Sequence, residues 1–156
     1  MVRKYAEGTE VPISRSRDEL ERTLTRFGAT TQGWLRDDEE KVVRLAFKRN
    51  GRGYRFTVKL QDAEGCRLTP TKQRRSDSVA MDLAEAENRR RFRSLANYVK
   101  AVMDATDTGI ISAEEALLPY MMLPSGETVA EAVIPQLASG NYLVNLSKAL
   151  VSGRER

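Results

Sequence analysis

Two runs of strict alternation on either side of Asn50-Gly51 constrain this chain more than any other feature. Val43, Leu45 and Phe47 alternate with Arg44, Ala46 and Lys48, and Tyr54, Phe56, Val58 and Leu60 alternate with Arg55, Thr57 and Lys59. A period of two is the period of a pleated strand, and Asn-Gly supplies the positive φ angles of a two-residue hairpin turn. The segment therefore predicts a β-hairpin with one apolar face turned to a core. Its other face then carries Arg44, Lys48, Arg55 and Lys59, with Arg49 and Arg52 at the tip. Like charges across neighbouring strands repel by roughly 0.2–1 kcal/mol per pair. Such a face calls either for an anionic partner or for carboxylates brought in from elsewhere in the fold.

The flanking segments read as helices around this sheet. Ser16-Arg17-Asp18-Glu19 fits a capping box, Leu20, Leu24 and Phe27 form one helical stripe, and Gly28 ends it. Thr30 to Leu35 is a third strand, preceding the hairpin, and Asp37-Asp38-Glu39-Glu40 forms the connection. Those four carboxylates point apart in a turn, so solvation is expected there and not a metal site. Residues 61–78 are a polar connector containing Arg67, Lys72, Arg74 and Arg75, readable as a flexible basic arm or as a plain mobile loop. Ser76 or Ser78 then opens a long helix to about Asp104, with Phe92, Leu95, Ala96, Val99, Val102 and Met103 as its apolar stripe. Its arginines, Arg89, Arg90, Arg91 and Arg93, follow Glu85 and Glu87 at pairing distance, predicting a salt-laced helix or one that touches a phosphate backbone. Beyond Gly109, capping boxes at Ser112–Glu115 and Thr128–Glu131 open two short helices, and Pro135 limits or kinks the second. Tyr120, Met121 and Met122 suit either core or an adaptable protein-binding patch. The class is α+β: a short helix, a three-stranded antiparallel sheet with a basic outer face, a long helix, and a helical C-terminal extension. A core domain over 1–108, an extension over 109–151 packing on it or on a partner, and a frayed tail over 152–156 are the expected divisions.

Absences narrow the chemistry. The 156 residues include no histidine and one cysteine, Cys66, which removes histidine-based triads, most zinc sites and any intrachain disulfide. No cofactor or metal and no catalytic residue is expected, and an enzyme would have to work with Asp, Glu, Lys or Tyr alone. No apolar run reaches the ~18 residues of a membrane span, and the N-terminus carries no apolar signal region, so a cytoplasmic protein without membrane contact is expected. The net charge of +4 is unevenly spread: residues 41–100 hold 16 basic and 6 acidic side chains, residues 109–156 only 3 and 5. That segregation points to a polyanion contacted by the middle of the chain and a packing or partner-binding role for its end.

The order helix, three strands, helix resembles double-stranded RNA-binding domains in topology alone. Those domains open their last helix with lysines, where this chain has Val79-Ala80-Met81-Asp82-Leu83-Ala84-Glu85. Sheet-based single-strand binders of the whirly type are similar in using basic and aromatic sheet residues; Trp34 is readable as a stacking residue or, more commonly for a lone tryptophan in apolar company, as core. The stretches Tyr5 to Thr9, Ser14-Arg15-Ser16, Glu21 to Leu24, Arg26 to Ala29, Arg91 to Ala96, Gly109-Ile110-Ile111 and Leu123 to Val129 resemble small proteins of tailed bacteriophages and prophages. That resemblance implies a bacterial cytoplasm and an accessory role in phage DNA or RNA metabolism, or in countering the host. The expected function is nucleic-acid binding without sequence specificity through Arg44, Lys48, Arg49, Arg52, Arg55, Lys59, Lys72, Arg74 and Arg75. The alternative is an inhibitor or adaptor that meets a host or phage protein through the C-terminal third; either form allows a homo-oligomer.

Overall fold

The computed structural model describes residues 10–138. The run Tyr142-Leu143-Val144-Asn145-Leu146 and the tail expected to fray lie outside the described residues. Helix α1 (Ile13–Arg26) is followed by strands β1 (Thr31–Asp37), β2 (Val42–Arg49) and β3 (Arg52–Lys59). Helices α2 (Asp77–Asp107), α3 (Ala113–Leu117) and α4 (Val129–Ala138) complete the order. The sheet is antiparallel with order β1-β2-β3, so the fold is α+β as the periodicity predicts.

The hairpin closes on Asn50 (φ 49°) and Gly51 (φ 76°), the left-handed pair of a tight two-residue turn whose twist matches its strands. Register follows directly: Arg49 faces Arg52, Phe47 faces Tyr54, and Leu45 faces Phe56. β1 runs two residues further than the alternation suggests, because Asp37 still pairs with Val42. Leu45, Phe47, Tyr54 and Phe56 form one core with Leu20 and Leu24 of α1 and Ala96, Val99 and Met103 of α2. Val43, Val58 and Phe92 form a second, smaller cluster. Both helices thus cover one face of the sheet.

The first helix starts earlier than its capping signal. Pro12 (φ −59°) occupies the N-cap position, and Ser16 lies fully buried one turn inside, with a hydroxyl that has no hydrogen-bond partner among the described residues. The extra turn packs Ile13 against the Val43 cluster, and proline's fixed φ suits a helix start, so packing overrides the capping box. The other caps stand where the sequence puts them. Ser76 accepts from Val79 N, Ser112 and Glu115 close a reciprocal box, and Thr128 and Glu131 do the same. Gly28 (φ 89°) and Gly109 (φ 75°) follow the ends of α1 and α2 in the left-handed conformation. α2 continues three residues past Asp104, and α4 three residues past Pro135.

The connector is a correction. Residues 61–76 are neither arm nor loose loop: Leu68 bridges Arg74, Arg75 N donates to Arg67 O at 2.8 Å, and Glu64–Cys66 form a 3₁₀ turn. Beyond α3, the turn Leu118–Tyr120 brings Met121 beside Tyr54, where Met122 N donates to Gly53 O at 2.8 Å. Leu117 is wholly buried and Tyr120 and Met121 pack on the main core, so these residues take the core role rather than forming a separate patch.

Candidate polyanion-binding surface

The pleat does place Arg44, Lys48, Arg55 and Lys59 on the outer face, but the register separates them. Arg44 lies opposite Thr57, Arg55 opposite Ala46, Lys48 opposite Gly53, and Lys59 opposite Val42. No two of the four are directly paired, so cross-strand repulsion is relieved by geometry before any partner is needed.

Carboxylates from elsewhere occupy half of this set. Arg44 meets Glu40 and, at 3.4 Å, Asp37; the Glu40 contact and its neighbours raise the guanidinium's affinity for its proton. Arg55 bridges Glu131 and donates to Gly126 O at 2.9 Å, tying the start of α4 to the sheet. The Glu131 carboxyl titrates below the usual range, chiefly because it accepts from the Thr128 backbone. Arg49 donates to Phe27 O at 2.8 Å, lies over the Phe27 ring at 4.3 Å and sits 3.7 Å from Glu114. Arg75 points inward to the Cys66 and Leu68 carbonyls. These four arginines hold the fold together.

Lys48, Arg52, Lys59, Lys72 and Arg74 are exposed and have no side-chain partner among the described residues. They do not form one patch. Lys48 and Arg52 stand at the hairpin tip, whereas Lys59 is six residues away along the pleat, about 20 Å. Lys72 and Arg74 belong to the excursion that follows β3.

The densest group of unpaired cations lies on the other side of the molecule. Arg15, Arg22 and Arg26 follow one another at i, i+7 and i+11 along α1, which brings them within about 40° of one line. With Lys100 and Arg93 of α2 they line a polar groove of about 630 Å³ between the two helices. Glu19 pairs with Arg93, and Asp18 is the groove's second carboxylate. Arg15, Arg22, Arg26 and Lys100 are all exposed and lack partners among the described residues. The line of arginines ends at Phe27, against which Arg49 packs, so it runs toward the hairpin tip with Lys48 and Arg52. The spacing of three arginines on α1 is visible in the sequence; only tertiary packing adds Lys100.

The arginine cluster of α2 is spent internally. Arg89 pairs with Glu85, Arg90 and Arg91 with Glu87, and Arg91 also donates to Lys59 O at 2.6 Å. Hydrogen bonds from Arg90, then from Arg91, pull the Glu87 carboxyl down to about 2 from an ordinary 4.5. Because the folded value lies below the unfolded one, the stabilisation is present above pH ~4.5 and lost as pH falls toward ~2. Glu87→Gln is expected to cost about 2 kcal/mol at neutral pH, less than the full shift implies because the pair is partly solvated. Urea unfolding at pH 7 and at pH 3 checks this, since the difference from wild type should shrink at the lower pH.

Trp34 is not an open stacking platform. Its ring packs 5.9 Å from Phe92, Arg17 covers it at 4.5 Å, and Nε1 donates to Glu21 at 2.6 Å. In the acidic turn, Asp37 Oδ1 accepts from Glu40 N at 2.9 Å, which lowers the Asp37 pKa. Among the described residues there is no cluster of His, Cys, Asp or Glu able to hold a metal ion, and no helix long and apolar enough to cross a membrane. Comparison with protein-family models, curated proteins and solved structures finds no match.

Proposed function

We propose that this protein binds nucleic acid through the phosphate backbone, without reading sequence, and is not an enzyme. The observation that carries the reading is the groove in which Arg15, Arg22, Arg26 and Lys100 surround a polar depression without carboxylate partners among the described residues. The eleven-residue span from Arg15 to Arg26 is about 16 Å, the axial length of roughly five phosphate steps of one strand. Arginine and lysine contacts to phosphates fix position without selecting bases, which is why no sequence preference is assigned. The likeness to small phage and prophage proteins fits an accessory part in phage nucleic-acid metabolism in a bacterial cytoplasm.

A protein-binding role has its own supporting observation. α4 has no buried residue, and Val133, Ile134 and Leu137 on it are exposed, as is Leu118 nearby. An apolar surface of this kind suits a host or phage protein or a second copy of the chain.

Fluorescence anisotropy with labelled single- and double-stranded oligonucleotides at two salt concentrations separates the two. The expected result is binding whose log affinity falls by ~0.7–0.9 per phosphate contacted for each decade of salt. An absence of binding at low salt would leave the exposed face of α4 as the better candidate.

A further inference from the structure

A second depression, of about 560 Å³, lies at the end of the sheet away from the hairpin tip, on its helical side. Its floor is apolar: Trp34, Val43, Leu60 and Phe92. The carboxylates at its rim are already neutralised. Arg36 Nε lies 2.6 Å from Asp38, and Lys41 pairs with Asp62, each lysine and aspartate holding the other in its charged form. Arg17 is different. It has no carboxylate partner among the described residues, and its guanidinium is held over the Trp34 ring. The ring beneath it is itself fixed by Phe92 and by the Glu21 hydrogen bond.

We infer that this cavity binds a mononucleotide-like ligand: a planar heteroaromatic ring bearing one anionic group. The volume falls within the ~300–1,000 Å³ of small-molecule sites, which are largely apolar with a few placed polar groups. The flat ring would lie on the apolar floor. The anionic group would meet Arg17, whose planar fork suits bidentate contact with phosphate and is pre-positioned by the indole. Gln61 is turned to the chain: its Oε1 accepts from Arg91 Nη2 at 3.3 Å, and its Nε2 makes a 3.5 Å contact with the Asp62 carbonyl. Asn88, the other amide of the wall, is committed to the chain itself. It accepts from Gln61 N at 2.7 Å and donates to Gln61 O at 2.8 Å, which keeps the wall rigid. This inference does not depend on the groove between α1 and α2, which lies outside the cavity.

Trp34 is the only tryptophan in the chain, so its fluorescence reports on this cavity directly. The full chain is titrated with AMP and with UMP, with calorimetry as the second readout. The expected result is saturable binding that changes Trp34 emission. It should weaken about tenfold or more in Arg17→Gln, because a charge-assisted hydrogen bond is lost, and adenosine, which has no phosphate, should bind correspondingly worse. Replacing Arg22 and Arg26 with glutamine should leave mononucleotide binding unchanged. Absence of saturable binding, equal affinity of Arg17→Gln and wild type, or equal affinity for adenosine and AMP would each overturn the assignment. Loss of mononucleotide binding on replacing Arg22 and Arg26 would also overturn it and move the ligand to the groove.

Discussion

Replacing Arg15, Arg22, Arg26 and Lys100 together with glutamine should lower affinity for a duplex oligonucleotide by about 4 × 10³-fold near 0.1 M salt. The size follows from counterion release. Each phosphate neutralised contributes ~0.9 to the slope of log affinity against log salt, so four contacts contribute ~3.6, or about 4 × 10³ at a tenth of the standard concentration. The slope itself should fall by the same ~3.6, which is the more discriminating measurement because it does not depend on oligonucleotide sequence. The four side chains are exposed and without partners among the described residues, so the folded state should lose little. Arg44→Gln and Arg55→Gln make the natural contrast. Those residues are held by Asp37, Glu40 and Glu131, and their loss should disturb the β1–β2 turn and α4 more than nucleic-acid affinity. A quadruple variant that keeps both its affinity and its salt slope would place the phosphate contact away from the groove.

Phe56→Ala should cost about 3–5 kcal/mol, the largest single-residue loss expected in the fold. Phe56 is 3% exposed and touches three other rings: Phe47 at 5.8 Å, Tyr98 at 6.4 Å and Tyr120 at 4.5 Å between centroids. Those contacts join the middle of the sheet to α2 and to the segment that follows α3. Truncation therefore leaves a cavity where three parts of the chain meet, and no one of them can collapse into it alone. For a chain of this size the midpoint of thermal unfolding should fall by roughly 10 °C. Tyr120 supplies an independent readout. Burial, with a hydrogen bond to Tyr98, raises its hydroxyl to about 12 from 10.0. The neutral form is the one favoured by folding, so stability from this group declines as pH rises from ~10 to ~12. In Phe56→Ala the ring should become wetter and titrate closer to 10, visible in the ultraviolet absorbance of tyrosinate. An unchanged Tyr120 titration in a destabilised variant would show that the ring cluster does not transmit the loss.

The hairpin, the long helix, both late capping boxes and the glycine stops were legible because each is a short-range pattern. Alternation, a 3.6-residue period, a hydroxyl followed three residues later by a glutamate, and a left-handed glycine all act within a few residues of themselves. The failed reading among these, the cap at Ser16, lost to a long-range term: the burial of Ile13 against Val43. The basic sheet face was legible in the same way and misleading for the same reason. Alternation correctly turns Arg44 and Arg55 outward, but it carries no information about Glu131, 76 residues from Arg55, or about the turn that brings Glu40 back to Arg44. The connector shows the converse. Its polar composition suggests looseness, yet Arg75 binds the carbonyls of Cys66 and Leu68 and closes it into a hairpin.

What the sequence determined by itself is the element order, the fold class and the side of the sheet on which each β2 and β3 residue stands, all consequences of local backbone geometry. Which cations remain available is a tertiary result. A guanidinium is neutralised by whichever carboxylate the fold brings within about 4 Å, and Arg93 finds Glu19 from 74 residues away. Packing α1 against α2 consumed Arg93 and left Arg15, Arg22, Arg26 and Lys100 facing one groove, because Coulomb attraction depends on distance in space and not on distance along the chain.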